Sequence, residues 1–220
     1  MKKRKILLLA FVVLVAASAS GCGYNTLQGK QQQVRGRWAD IEAQLQRRAD
    51  LIPSLTAAAQ SAGVQEQEVF GQIAEARSRL LNATAAAPQG EGGDKSPEQK
   101  QAVIEAANSF GGTLGRLLSL QEAYPDLKSN QLFLNLQYEL AGTENRIATV
   151  RKDYNDAAVD YNTTRGSFPT VISAKIFGFK EEPLYAADPG ARSTPAPPDP
   201  NVLRRNQGGA APPAPAPTTR

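Results

Sequence analysis

The sequence predicts an all-α protein: an antiparallel up-and-down bundle of long helices, four-helix-like, followed by a disordered Pro/Ala-rich C-terminal tail. Three observations carry that expectation. Phe133, Leu136, Leu140, Thr143, Ile147, Val150, Tyr154, Ala157 and Tyr161 recur at alternating steps of three and four, which traces one side of an α-helix as a strict seam. At 1.5 Å per residue that seam runs roughly 40 Å, too long to be covered by anything but other long helices. A second stripe, Val34, Trp38, Ile41, Leu45, Arg48, Ile52, Leu55 and Ala59, repeats the alternation earlier in the chain. Patterning then stops: nine Pro fall within residues 188–220 with almost nothing apolar between them, a composition that stays extended and unfolded.

The N-terminus reads as an address. Lys2, Lys3, Arg4 and Lys5 form a basic region, residues 6–17 an apolar one, and Ser18, Ala19, Ser20 and Gly21 lead to Cys22. This is the layout of a secretory signal, and Ala19-Ser20-Gly21-Cys22 resembles a bacterial lipobox, which makes Cys22 the candidate lipidation site. The apolar run 6–20 holds 15 residues, below the roughly 17–25 of a spanning helix; extended to Cys22 it becomes a short membrane anchor. Residues 1–21 are thus a lipoprotein-type signal peptide or a short anchor, 22–187 the bundle and 188–220 the tail. Either reading tethers the domain to a bacterial membrane on its extracytoplasmic side. Gly23 after the Cys is compatible with an outer membrane.

The first body helix is expected to start between Tyr24 and Gln31. Arg48 interrupts its apolar stripe, and Pro53 removes the bond to the carbonyl of Ala49 and should kink the helix. Gly63 is the expected break, after which Val69, Ile73, Ala76 and Leu80 resume the pattern. Residues 83–95 read as a loop. Ser96-Pro97-Glu98-Gln99 is a helix start with a capping box, opening a helix through Val103, Ala107, Phe110, Leu114, Leu117 and Gln121. Pro125 should end it at Ala123–Tyr124, and the long seam follows.

Composition excludes more than it suggests. The chain has no His and one Cys, which removes His-based acid–base catalysis, Ser-His-Asp and Cys-His sites, and Cys/His zinc sites. No cofactor and no metal is implied. The net charge of +4 is carried by residues 2–5; the other 21 basic residues match 21 acidic ones, so the basic pI does not point to nucleic acid.

Gly23-Tyr24-Asn25, Trp38, the run Gln46-Arg47-Arg48-Ala49-Asp50-Leu51-Ile52-Pro53 and Ala74-Glu75-Ala76-Arg77 resemble the LemA family. So do Tyr124-Pro125-Asp126-Leu127-Lys128, Leu140 through Ile147, Tyr154-Asn155, Tyr161-Asn162, Phe168-Pro169 and Phe177-Gly178-Phe179. The resemblance covers about residues 23–185. It implies a four-helix-like bundle held on a bacterial membrane by its N-terminus, with no established enzymatic activity. Many members keep an N-terminal transmembrane helix, whereas this chain looks like the lipoprotein variety.

Two groups of residues are candidate sites. Arg47, Arg48, Asp50 and Glu144 form a candidate interaction patch. Arg48 lies in an apolar stripe and needs a partner or a path to water; Glu144, beside the seam, is the expected one. Phe168, Ile176, Phe177 and Phe179, with Val171, Ile172, Lys175 and Lys180, either close one end of the bundle or meet a membrane surface. A turn at Gly63 gives four helices and puts this segment beside the anchor; one kinked helix over 31–82 would put it at the far end. Four is the expectation. Trp38, Tyr154 and Tyr161 at heptad spacing read as core, and Asp153, Asp156 and Asp160 as solvated charges.

The function expected is that of a non-catalytic, membrane-tethered helical protein of the cell envelope, a scaffold or adaptor for an envelope protein partner. The alternative is a binding module for a lipid or small apolar ligand between helices, lined by Phe133, Leu136 and Trp38. The length of the seam also permits self-association.

Overall fold

In the computed structural model, which describes residues 2–90 and 94–186 and, in its first helix, the side chains from residue 23 onward, the chain turns at Gly63. Helix α1 spans Lys2–Ser61. Gly63 has φ 84°, a left-handed conformation that glycine adopts without a Cβ penalty. The amide of Val64 donates to the carbonyl of Ala59 at 3.2 Å and that of Gly63 to Gln60 at 3.0 Å, the paired bonds of a Schellman stop. Helix α2 (Gln67–Ala85) runs back. The four-helix expectation holds.

Helix α3 (Pro97–Ser119) opens with the expected capping box. The Gln99 amide donates to Ser96 Oγ at 3.3 Å and the Ser96 amide to Gln99 Oε1 at 3.0 Å. A 3-10 turn, Leu120–Glu122, ends the helix earlier than expected, so Gln121 falls outside it. Tyr124 is extended (φ −120°, ψ 93°), as the following Pro125 requires. A single turn, α4 (Pro125–Ser129), precedes the long helix α5 (Gln131–Gly166). Asn130 separates them, and its side chain accepts the Phe133 amide at 3.0 Å, an N-cap. Helix α6 (Thr170–Phe177) is stopped by Gly178 at φ 75°.

Register follows from the cross-helix pairs. Lys30 meets Asp160, Trp38 meets Tyr154 and Arg47 meets Glu139, so α5 descends as α1 ascends. Helices α2 and α3 form a second antiparallel pair, joined for example by Arg116 and Gln72 at 3.0 Å. The core is one apolar cluster running through all four long elements.

Three further expectations change. The helix expected to begin between Tyr24 and Gln31 instead continues from Lys2; Gly21 and Gly23 each disfavour a helix by only about 1 kcal/mol and no Pro intervenes. In α2, Phe70 is buried where Val69 was expected, and Val69 packs half-buried beside it. In α5 the seam buries Ala158 in place of Ala157, and Leu136 and Val150 are half-buried. A strict seven-residue seam drifts by about 20° per heptad on a straight helix; the row from Phe133 to Tyr161 stays buried throughout, and only the row beside it shifts, by one position at its end. The expected tail, 188–220, and the side chains of 6–17 and of Cys22 lie outside the described residues.

Candidate functional site

Arg48 points inward from α1 with its side chain 7% exposed, and its Nη1 lies 3.0 Å from Glu144 Oε2 on α5. The sequence-derived partner is in place. Burial pushes the guanidinium below its usual range and Glu144 opposes that shift. The guanidinium also sits 5.5 Å from the centroid of Phe110 on α3, so one buried cation touches three helices. Arg47 and Asp50 are on the other side of α1. Arg47 pairs with Glu139 at 3.1 Å; Asp50 accepts from Gln46 at 2.9 Å and lies 3.8 Å from Arg77. The four residues of the candidate patch therefore divide into an inward pair and an outward pair.

Pro53 stays inside a continuous helix, and its missing amide leaves the Ala49 carbonyl without an intrahelical donor. Arg77 Nε, from α2, donates to that carbonyl at 2.8 Å. The imino acid thus creates an acceptor on α1 that only a neighbouring helix satisfies, and it fixes α2 against α1.

A second ionic centre was not anticipated. Lys100 on α3 is fully buried, with Nζ 2.8 Å from Glu182 Oε2 and 3.1 Å from Asp94 Oδ2, and 5.7 Å from the Trp38 ring. Its neighbour Lys95 donates to the carbonyls of Thr84 and Ala86 at 2.8 and 3.0 Å and faces Glu42 at 3.5 Å. The signal for Lys100 was legible: it precedes Val103 by three and occupies the same stripe as Ala107, Phe110, Leu114 and Leu117.

Glu182 reaches Lys100 on an extended strap, residues 179–186, that runs back along α5. Asn162 donates Nδ2 to the Glu182 carbonyl (2.8 Å) and accepts the Glu182 amide (3.0 Å). Asn155 does the same with Tyr185, at 3.1 and 2.8 Å. The hydroxyls of Tyr161 and Tyr154 donate to the carbonyls of Lys180 (2.8 Å) and Pro183 (2.7 Å). Seven helical residues rise about 10.5 Å and three extended residues about 10 Å, so a Tyr-Asn pair repeated at seven clamps a strand at every third residue. Tyr154 and Tyr161 are core, as expected, and clamps as well; burial raises the phenol pKa of Tyr154, and of Tyr185 on the strap, above the ordinary 10.0. Arg151 completes the strap, donating to Tyr185 Oη at 3.1 Å.

At the other predicted site, α6 packs on the first described side chains of α1. A Cβ on Gly23 would meet Ser173 Oγ at 2.9 Å. Tyr24 meets Phe177 and Phe179 edge-on at 4.9 and 5.6 Å between centroids. Phe179 is buried there, whereas Phe168, Ile176 and Phe177 are exposed. Asp153, Asp156 and Asp160 line an open groove with Asp40, but Asp156 pairs with Lys152 at 2.7 Å and Asp160 with Lys30, and no cluster fit for a metal occurs among the described residues. Trp38 packs on Tyr154 at 5.2 Å and donates to Glu42 at 2.9 Å, and Phe133 is fully buried. Among the described residues, no helix is long and apolar enough to cross a membrane.

Comparison with known proteins is consistent with this architecture. The model of the LemA family matches residues 37–198. Magnetosome protein MamQ 2 of Paramagnetospirillum magneticum is 28% identical over 178 residues, and magnetosome protein MamQ of Magnetospirillum gryphiswaldense 26%. Each alignment covers 76% of this chain and 65% of the relative, so the chain spans about two thirds of the length of these relatives. Protein LemA of Metamycoplasma hominis is 24% identical over 163 residues, covering 74% of this chain and 68% of its own.

Proposed function

The chain belongs to the LemA family, and we propose that it acts as a membrane-tethered, extracytoplasmic, non-catalytic scaffold or adaptor of the bacterial cell envelope, anchored at Cys22 or by the apolar run before it. One observation carries the reading: the ionisable groups inside the bundle are matched to one another, Lys100 to Asp94 and Glu182 and Arg48 to Glu144, which leaves the exposed helix faces for contacts. Arg47 and Asp50 lie on such a face, about 38 and 42 Å along α1 from Cys22. The relatives called magnetosome proteins are named for a cellular structure and not for a reaction, which supports a structural role here.

Photo-crosslinking in cells from positions 47 and 50, in wild-type and Cys22→Ala backgrounds, tests the proposal. A discrete protein captured only by the anchored chain is the expected result. Crosslinks to lipid alone, or none, would overturn it. A module for a lipid or small apolar ligand is the second reading; Phe133 and Trp38, expected to line its site, are packed in the core, and the groove that favours it lies between α1 and α2, where Ile52, Pro53, Phe70 and Ile73 are joined by Thr56, Gln60 and Arg77. Its volume of about 270 Å³ is below the roughly 300–1,000 Å³ of small-molecule sites. That ranks it second.

A further inference from the structure

Helix α6 is amphipathic the wrong way round for a helix in water. Its buried positions are the small residues Ser173 and Ala174, and Thr170 is half-buried. Val171 is half-buried, but Ile172 is 49% exposed and Ile176 67%, and Phe168, just ahead of the helix, is 82% exposed. Ile172 and Ile176 lie one turn apart on the helix and share a face, and Phe168 is exposed two residues ahead of it. A surface helix ordinarily buries such a face, and contiguous exposed apolar patches mark contact sites. Phe177, 47% exposed, widens the patch, and Lys175 is exposed on the same helix.

The place of the patch selects its occupant. The small inward face lets α6 approach α1 at Gly23, where Ser173 and Thr170 lie over the glycine, and Tyr24 holds Phe177 and Phe179. Gly23 is the residue after Cys22. If Cys22 carries acyl chains, those chains enter the hydrocarbon beside α6; if residues 6–20 stay in the membrane, α1 leaves it at the same point. Both routes put the patch at the boundary between head groups and acyl chains, the depth at which interfacial helices bury their apolar faces and aromatic residues concentrate.

We propose that α6 is a membrane foot: its exposed Ile172 and Ile176, with Phe168 ahead of the helix, insert into the lipid surface beside the N-terminal anchor and hold the bundle in a fixed orientation on it. This rests on the tether proposed above. A single tether leaves the bundle free to swivel; a second contact at its base does not.

The full chain reconstituted in phosphatidylcholine–phosphatidylglycerol vesicles with brominated acyl chains tests this, with Trp placed by Phe168→Trp, Ile176→Trp or, as a control, Tyr138→Trp. Tyr138 is 74% exposed and about 42 Å along α5 from its foot end. Wild-type protein, with only the buried Trp38, gives the background, and flotation reports the tether separately. The expected result is loss of emission at 168 and 176 and none at 138. Adding Ile172→Lys should abolish quenching at 176 while leaving flotation intact. Unquenched 168 and 176 in chains that float would overturn the foot alone, and crosslinked pairs through 176 in that case would give the patch to a second copy. Chains that fail to float would remove the tether and the foot with it.

Discussion

Replacing Lys100 by Met removes the one buried cation that faces Glu182. Asp94 keeps Arg35 at 3.5 Å, but Glu182, 6% exposed, has no other cation within ion-pair distance among the described residues. Breaking a buried pair by removing one partner costs about 3–5 kcal/mol. The chain could evade that cost by letting the strap swing out, and the strap's own attachment decides whether it does. Seven hydrogen bonds from Arg151, Tyr154, Asn155, Tyr161 and Asn162 hold it. At roughly 1 kcal/mol net each, together with the burial of Phe179 and Tyr185, release costs about 7 kcal/mol or more. Staying put is cheaper, so the loss should appear in global stability.

Urea unfolding followed by circular dichroism should therefore show Lys100→Met less stable by about 3–5 kcal/mol with an unchanged m-value. In thermal unfolding the midpoint should fall by about 6–20 °C for a chain of this size. Protection of the amides of Glu182 and Tyr185 from hydrogen exchange should fall only as far as global stability does. A loss under about 1 kcal/mol, the range of a surface pair, would refute the reasoning. So would strap amides that exchange freely while the helices keep their wild-type stability.

Two further results are expected. Arg77→Ala should destabilise by about 1–3 kcal/mol by stranding the buried Ala49 carbonyl, and much less in a Pro53→Ala background, where residue 53 supplies the amide; a double-mutant cycle with coupling near zero would reject the link. Stability should also fall as pH rises above about 10, because the phenols of Tyr154 and Tyr185 are raised above the ordinary 10.0 by burial. Below that pH both states hold the proton and the full stabilisation is present. Above it the unfolded chain ionises while the folded one resists. Phenolate absorbance and unfolding followed across that range would show two tyrosines that titrate only as the fold is lost.

Most of the architecture was legible because helix periodicity is local. The Gly63 turn, the Ser96 capping box and the partner of Arg48 each follow from residues close in sequence or from a charge stranded on an apolar stripe. The strap was not legible, because an extended segment held by side chains carries no period of its own. Its trace lay elsewhere, in the Tyr154-Asn155 and Tyr161-Asn162 repeat, where the tyrosines accounted for the core and the asparagines were left without a role. Lys100 was overlooked because its stripe was begun at Val103. At the foot, composition identified the apolar segment, but only the packing of Ser173 over Gly23 tells which of its faces is outward.

The register of the strap bears on why the buried pair is there. A slip of one residue in one direction would present Pro183, which has no N–H, to the Asn162 oxygen that now accepts the Glu182 amide. A slip the other way would bring Glu181 to Lys100, a change the lysine would tolerate, but it would put Leu184 in the buried slot where Tyr185 meets Arg151 at 4.3 Å. Pro183 and Tyr185 therefore exclude the two slips, and the Lys100–Glu182 charge pair distinguishes neither. Our hypothesis is that the pair does not specify register. Apolar replacement of a buried pair is often neutral or stabilising by about 1–4 kcal/mol, so Lys100→Met/Glu182→Leu should recover wild-type stability or exceed it. Its amide-exchange pattern should stay protected at residues 182 and 185. Protection moved to residues 181 and 184 in that variant would show that the ions, and not the imino acid and the tyrosine, hold the strap in place.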